Sequence, residues 1–181
     1  LGHFYLSQGK AEQALGEFQA IVKQRPANLG AQTMVGIALE ALGRTGEART
    51  HYEALLASMP NAAVAANNLA WIYAQSGDRL DMALQLAQDA KRLLPASPEV
   101  DDTLGYVYLK KNLPPLALRP LRAAVEKLPD NPLVRWHLAQ ALAATGDKTG
   151  AIAEIEAALR LSASFEGVAE ARAKLRELRS S

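Results

Sequence analysis

The sequence predicts an all-α chain in which one helical hairpin is repeated about five times. Three observations carry this. Val100, Leu104, Val107 and Tyr108 follow the i, i+4, i+7, i+8 spacing of an amphipathic helix, and a second stripe runs through Leu116, Ala117, Leu121, Ala124, Val125 and Leu128. Pro26, Pro60, Pro95 and Pro129 lie 34, 35 and 34 residues apart. On the same period stand small residues (Gly2, Gly36, Ala70, Gly105, Ala139), alanines (Ala14, Ala48, Ala83, Ala117, Ala151) and turn formers (Gly9, Gly43, Gly77, Asn112, Gly146).

Taken in order, residues 1–8 read as the tail of a first helix, followed by a helix over 11–24. Further helices are expected at 30–42 and 46–58, 62–75 and 79–94, 98–111 and 114–128, then 132–145 and 147–161. Ser97-Pro98 is an N-cap followed by proline at the first helical position, where the missing N–H costs nothing. The third repeat holds one extra residue between Gly77 and Ala83; inside a helix it would rotate the apolar stripe by roughly 100°, so it belongs in the turn. Pro120 removes a hydrogen bond to the Leu116 carbonyl, which predicts a kink or a late helix start. Val168, Ala171, Leu175 and Leu178 share one side of a last helix over 166–179 whose other side is charged, the pattern of an end cap.

These positions resemble the tetratricopeptide repeat (TPR) family, whose unit is a 34-residue helical hairpin. Large apolar residues occupy the family's core places at Leu1, Val35, Leu69, Leu104 and Leu138, and at Tyr5, Leu39, Tyr73, Tyr108 and Leu142. Phe18, Tyr52, Leu121 and Ile155 do so in the second helices, where Ala87 is smaller than the family pattern. The resemblance implies a right-handed α-solenoid, a superhelix, over residues 1–165, with repeats at about 1–28, 29–62, 63–97, 98–131 and 132–165 and a capping helix and tail at 166–181. The segments NNLAWIYAQSGD, DTLGYVYLKK and AEARAKLREL also resemble the C-terminal repeats of bacterial TPR lipoproteins of exosortase and exopolysaccharide systems, which leans towards a bacterial, extracytoplasmic setting, while the cysteine-free composition fits cytoplasm and periplasm alike. The chain begins without Met and partway through a repeat, as expected of part of a longer protein.

Composition narrows the function. A net charge of +1 gives no bias towards nucleic acid, which needs clustered positive charge. No apolar run has the length of a membrane span, and the absence of cysteine excludes disulfides and thiolate metal sites. His3, His51 and His137 share no ligand spacing and read as surface or groove residues. Glu99, Asp101 and Asp102 suit the positive end of a helix dipole, and Lys110-Lys111 suits the negative end. No catalytic, cofactor-binding or metal-binding set emerges, so neither an enzyme nor a cofactor is expected.

A second stripe on each first helix lies about a third of a turn from the core stripe. The family resemblance places it on the concave surface, as a groove for a peptide or helix of another protein. Its residues are Thr33, Ile37 and Glu40; Asn67, Trp71 and Gln75; Asp102, Tyr106, Leu109 and Lys110; and Trp136 and Gln140. Trp71, Tyr106 and Trp136 would supply apolar area with little rotamer entropy to lose, which favours a partner with apolar or aromatic anchors. The family's chaperone-tail clamp and asparagine ladder are not matched: the relevant places hold Thr33, Ile37, Asn68, Glu99 and Thr103, and Met34, Asn68, Thr103 and His137. The alternative function is a structural, self-assembling solenoid, with homo-oligomers as its product.

Overall fold

The computed structural model describes residues 1–180; Ser181, the end of the expected tail, lies outside them. Among the described residues there are eleven α-helices and no strand. They are α1 (Gly2–Ser7), α2 (Ala11–Gln24), α3 (Leu29–Ala41), α4 (Thr45–Ser58), α5 (Ala63–Ser76), α6 (Leu80–Leu93), α7 (Pro98–Lys110), α8 (Pro114–Lys127), α9 (Pro132–Ala144), α10 (Lys148–Leu161) and α11 (Val168–Ser180). The chain divides into two compact units, Leu1–Ile72 and Tyr73–Ser181, the boundary falling inside α5.

Starts and stops follow local chemistry. The side chains of Asn28, Ser97, Asn131 and Asp147 accept from the backbone N–H three residues on, at Ala31, Val100, Val134 and Gly150. Four hairpin turns close alike: the N–H groups of Lys10, Arg44, Leu113 and Asp147 each donate at 2.9 Å to the carbonyl five residues back. That geometry needs a left-handed residue, supplied by Gly9, Gly43, Asn112 and Gly146. The extra residue of the third repeat is absorbed in the turn, as expected. Arg79 itself adopts φ 50° immediately before α6, with its guanidinium 5.5 Å from the Tyr73 ring centroid.

In the first unit, α1 packs on α2, α2 on α3 and α3 on α4. Phe18, Val35, Leu39, Tyr52 and Leu69 are buried there. Leu1 departs from its expected core place and is 72% exposed. In the second unit the pairs α6–α7, α7–α8, α8–α9, α9–α10 and α10–α11 are in contact. The cap is present: Ala171 and Leu178 are buried with Ile155, and Leu175, Ile152 and Leu159 pack against the same cluster. Pro120 does not delay α8, which begins at Pro114 and runs unbroken to Lys127. Leu116, whose carbonyl loses its partner, is 54% exposed, so the lost bond falls on the side of the helix that water reaches.

Candidate partner-binding site

In the first unit the hydrogen bonds of the expected groove stripe gather on Glu40. Tyr52 Oη donates to Glu40 Oε1 at 2.6 Å, and Asn68 Nδ2 donates to Tyr52 Oη at 3.0 Å and to Glu40 Oε1 at 3.4 Å. Burial holds the Glu40 carboxyl above its usual value of 4.5, against the lowering effect of these two donors. Burial likewise pushes the Tyr52 phenol up. Asn67 Nδ2 donates to Asn68 Oδ1 at 3.3 Å, while Asn67 Oδ1 is buried without a hydrogen-bond donor among the described residues. Thr33 and Asn67 are buried; Ile37, Glu40 and Trp71 are half-buried. His51 is half-buried with Nε2 2.7 Å from the Gln32 carbonyl, and His3 is exposed, its ring 5.4 Å from that of Phe18.

In the second unit the corresponding stripe is more enclosed. His137, expected at the surface or in the groove, is 2% exposed; its Nδ1 lies 2.8 Å from Asp102 Oδ1. The Tyr106 ring packs on His137 with centroids 4.6 Å apart, and Lys110 Nζ lies 5.2 Å from the Tyr106 centroid. Asp101 and Asp102 thus do more than complement a helix dipole. Both are buried, and Asp101 pairs with Lys91 Nζ at 2.6 Å. Lys111 pairs with Asp81.

The largest correction concerns Trp136, which the family resemblance places facing a groove. It is 7% exposed, because the segment between α10 and α11 folds over it. A Cβ on Gly167 would stand 2.5 Å from Trp136 Nε1, and Phe165 packs against the same cluster. Gln75 Nε2 donates to Glu166 Oε1 at 2.9 Å, so this segment also meets the end of α5. Leu109 is half-buried against the cluster.

A cleft of about 480 Å³ remains between α9 and α11. Trp136, Gln140, Ala143 and Ala144 form one wall, and Glu170, Ala173, Lys174 and Glu177 form the other. Lys174 Nζ pairs with Glu177 Oε1 at 2.8 Å. Sequence reasoning identifies Trp136 and Gln140 but leaves the α11 wall to solvent. Its composition shows that α11 has a charged side, but not that this side turns towards α9. Among the described residues no group of His, Asp and Glu is arranged to hold a metal ion, and no helix is long and apolar enough to cross a membrane.

The chain matches the family described as Tetratricopeptide repeat over residues 1–63, 33–98 and 103–164. No match is found among curated proteins. Among solved structures it is similar to TTC0263, a thermophilic TPR protein of Thermus thermophilus, at 23% identity and a TM-score of 0.72, covering 100% of this chain and 96% of the other. It is similar to MamA residues 41 to the end from Desulfovibrio magneticus RS-1, at 20% identity and a TM-score of 0.69, covering 88% and 90% of the two chains. A further crystal structure of MamA matches at 17% identity and a TM-score of 0.67, covering 89% and 94%. At these identities the likeness is one of fold.

Proposed function

The chain belongs to the tetratricopeptide repeat family, and from that premise we propose that it is a non-catalytic scaffold binding a peptide or helix of another protein. The family supports an interaction scaffold in general; the α9–α11 cleft supports the finer reading. At about 480 Å³ it falls within the range of ligand-binding clefts. Trp136 and Ala143 on one wall and Ala173 on the other give it apolar lining, and Gln140, Glu170 and Lys174 bring hydrogen-bonding groups to the same lining. That combination suits a short segment with one apolar or aromatic anchor beside polar groups. Under this reading the half-buried Ile37 and Trp71 of the first unit, and Tyr106 and Leu109 of the second, are further contact surfaces.

The test uses peptides selected from a display library against the intact chain. Ala173→Trp fills the cleft from an exposed position on α11. Selected peptides should lose binding to this variant by at least tenfold, with the melting temperature unchanged. Peptides that bind both forms equally would refute the cleft.

A further inference from the structure

The charges that line the α9–α11 cleft do not balance. Its α9 wall, formed by Trp136, Gln140, Ala143 and Ala144, carries none. Its α11 wall carries three, on Glu170, Lys174 and Glu177, whose spacing of four and then three residues sets them along one face of the helix. Lys174 Nζ is already neutralised by Glu177 Oε1 at 2.8 Å. Glu170 is exposed and, among the described residues, takes part in no ion pair. It lies at the Trp136 end of the cleft. Gly167, three residues before it, approaches the indole so closely that a Cβ would stand 2.5 Å from Trp136 Nε1. Beside that glycine, outside the lining, Glu166 adds a second carboxylate, which accepts from Gln75 and is likewise in no ion pair among the described residues.

Resting on the reading of this cleft as the binding site, we infer that the segment it holds carries a lysine or arginine next to its apolar anchor, with the cationic head meeting Glu170. Ala143 and Ala144 on one wall and Ala173 on the other are small, which is what leaves room between the helices. The aliphatic stem of a basic side chain lies well along such a lining, while its head stays at the rim. Because Glu170 is exposed, the head keeps part of its hydration, and the pair avoids the desolvation cost of a buried one. An acidic segment would bring like charge to the one carboxylate of the lining that nothing neutralises. A wholly apolar segment would gain nothing from it. The charge therefore selects among partners and steers their approach more than it tightens the complex.

The experiment uses the peptides selected from the display library against the intact chain, each synthesised as found and with its basic residue replaced by norleucine. Peptides whose binding Ala173→Trp abolishes should carry lysine or arginine within about one helical turn of their anchor. Norleucine should weaken their binding to the parent chain about three- to fivefold, the size expected of an exposed ion pair. Glu170→Gln should weaken the basic peptides to the same extent and flatten their dependence on salt. In that variant the norleucine replacement should make no further difference, which is the signature of a direct pair. A selection that yields no peptide sensitive to Ala173→Trp refutes the cleft and this proposal with it. Sensitive peptides that lack a basic residue, or that lose as much to norleucine in Glu170→Gln as in the parent, overturn the proposal alone and leave the cleft standing.

Discussion

Gly36 offers a direct test of how these hairpins are packed. A Cβ placed on it would stand 2.2 Å from Tyr52 Cε1, 2.4 Å from Cζ and 2.8 Å from Oη. The ring has no room to retreat, because Tyr52 is 0% exposed and its hydroxyl is tied to Glu40 and Asn68. Two effects oppose each other in Gly36→Ala. Alanine in a helix interior is favoured over glycine by roughly 1 kcal/mol. Overpacking a filled core costs about 1–3 kcal/mol, and pulling Tyr52 off its buried partners adds about 1–3 kcal/mol more. The steric side wins, and the net loss should be about 3 kcal/mol. For a chain of this length that lowers the melting temperature by roughly 6–12 °C. Gly16→Ala supplies the control, since Gly16 lies exposed inside α2 with nothing within 4 Å of its would-be Cβ. There only the propensity gain survives, about 0.5–1 kcal/mol of added stability. Thermal and urea unfolding of both variants against the parent measure the contrast. A Gly36→Ala protein as stable as the parent would show that α3 and α4 do not cross at this distance.

Pro120→Ala restores the hydrogen bond to the Leu116 carbonyl and removes the ring from the interior of α8. It should therefore raise stability by about 1–3 kcal/mol; urea unfolding unchanged within error would mean that a compensation elsewhere already offsets the proline. Glu40 makes stability depend on pH. Its folded value lies above the usual 4.5, so in the window between the two the folded chain holds a proton that the unfolded chain has released. Stability should accordingly fall as pH rises from about 4.5 through the raised value and level off above it. Glu40→Gln should flatten that part of the profile; an identical slope in parent and variant would assign it to another group.

Much of this architecture is legible because it depends on short-range chemistry. A left-handed turn admits glycine or asparagine, so Gly9, Gly43, Asn112 and Gly146 mark hairpin turns, and Asn112 stands at φ 57° as its place in the period implies. Close crossings are legible for the same reason: Gly2 would meet Phe18, and Gly105 would meet Leu121, at distances no Cβ can occupy. What escapes the sequence depends on longer-range placement. The period puts Trp136 on a second stripe that the family resemblance turns towards a groove, yet its burial is decided by how residues 162–167 run between α10 and α11. The same segment brings Glu166 to Gln75, 91 residues away. His137 reads as a groove residue because a lone histidine on a helix carries no mark of its partner, and Asp102 sits 35 residues earlier on the neighbouring first helix. The α11 wall of the cleft escapes because a charged helix side beside solvent and one beside a cleft have the same composition.

The buried polar contacts answer a problem that the period itself creates. When every hairpin presents a similar apolar face, hydrophobic burial alone discriminates weakly between one neighbour and another, or between registers one turn apart. Polar groups discriminate strongly, because a buried carboxylate with its partner removed costs about 3–5 kcal/mol. Tyr52 of α4 donates to Glu40 of α3 and receives from Asn68 of α5, tying the second hairpin to the start of the third. Lys91 of α6 meets Asp101 of α7, and Asp102 of α7 meets His137 of α9. Slipping α7 by one helical turn would carry Asp101 and Asp102 roughly 5 Å from both partners at once and leave two buried charges unmatched. The apolar stripes therefore supply most of the driving force for stacking, while these few pairs specify which surfaces stack and in what register. They also explain why Asp101 and Asp102, adjacent on α7, can both be buried: one turns towards α6 and the other towards α9, and each finds its own cationic or hydrogen-bonding partner there.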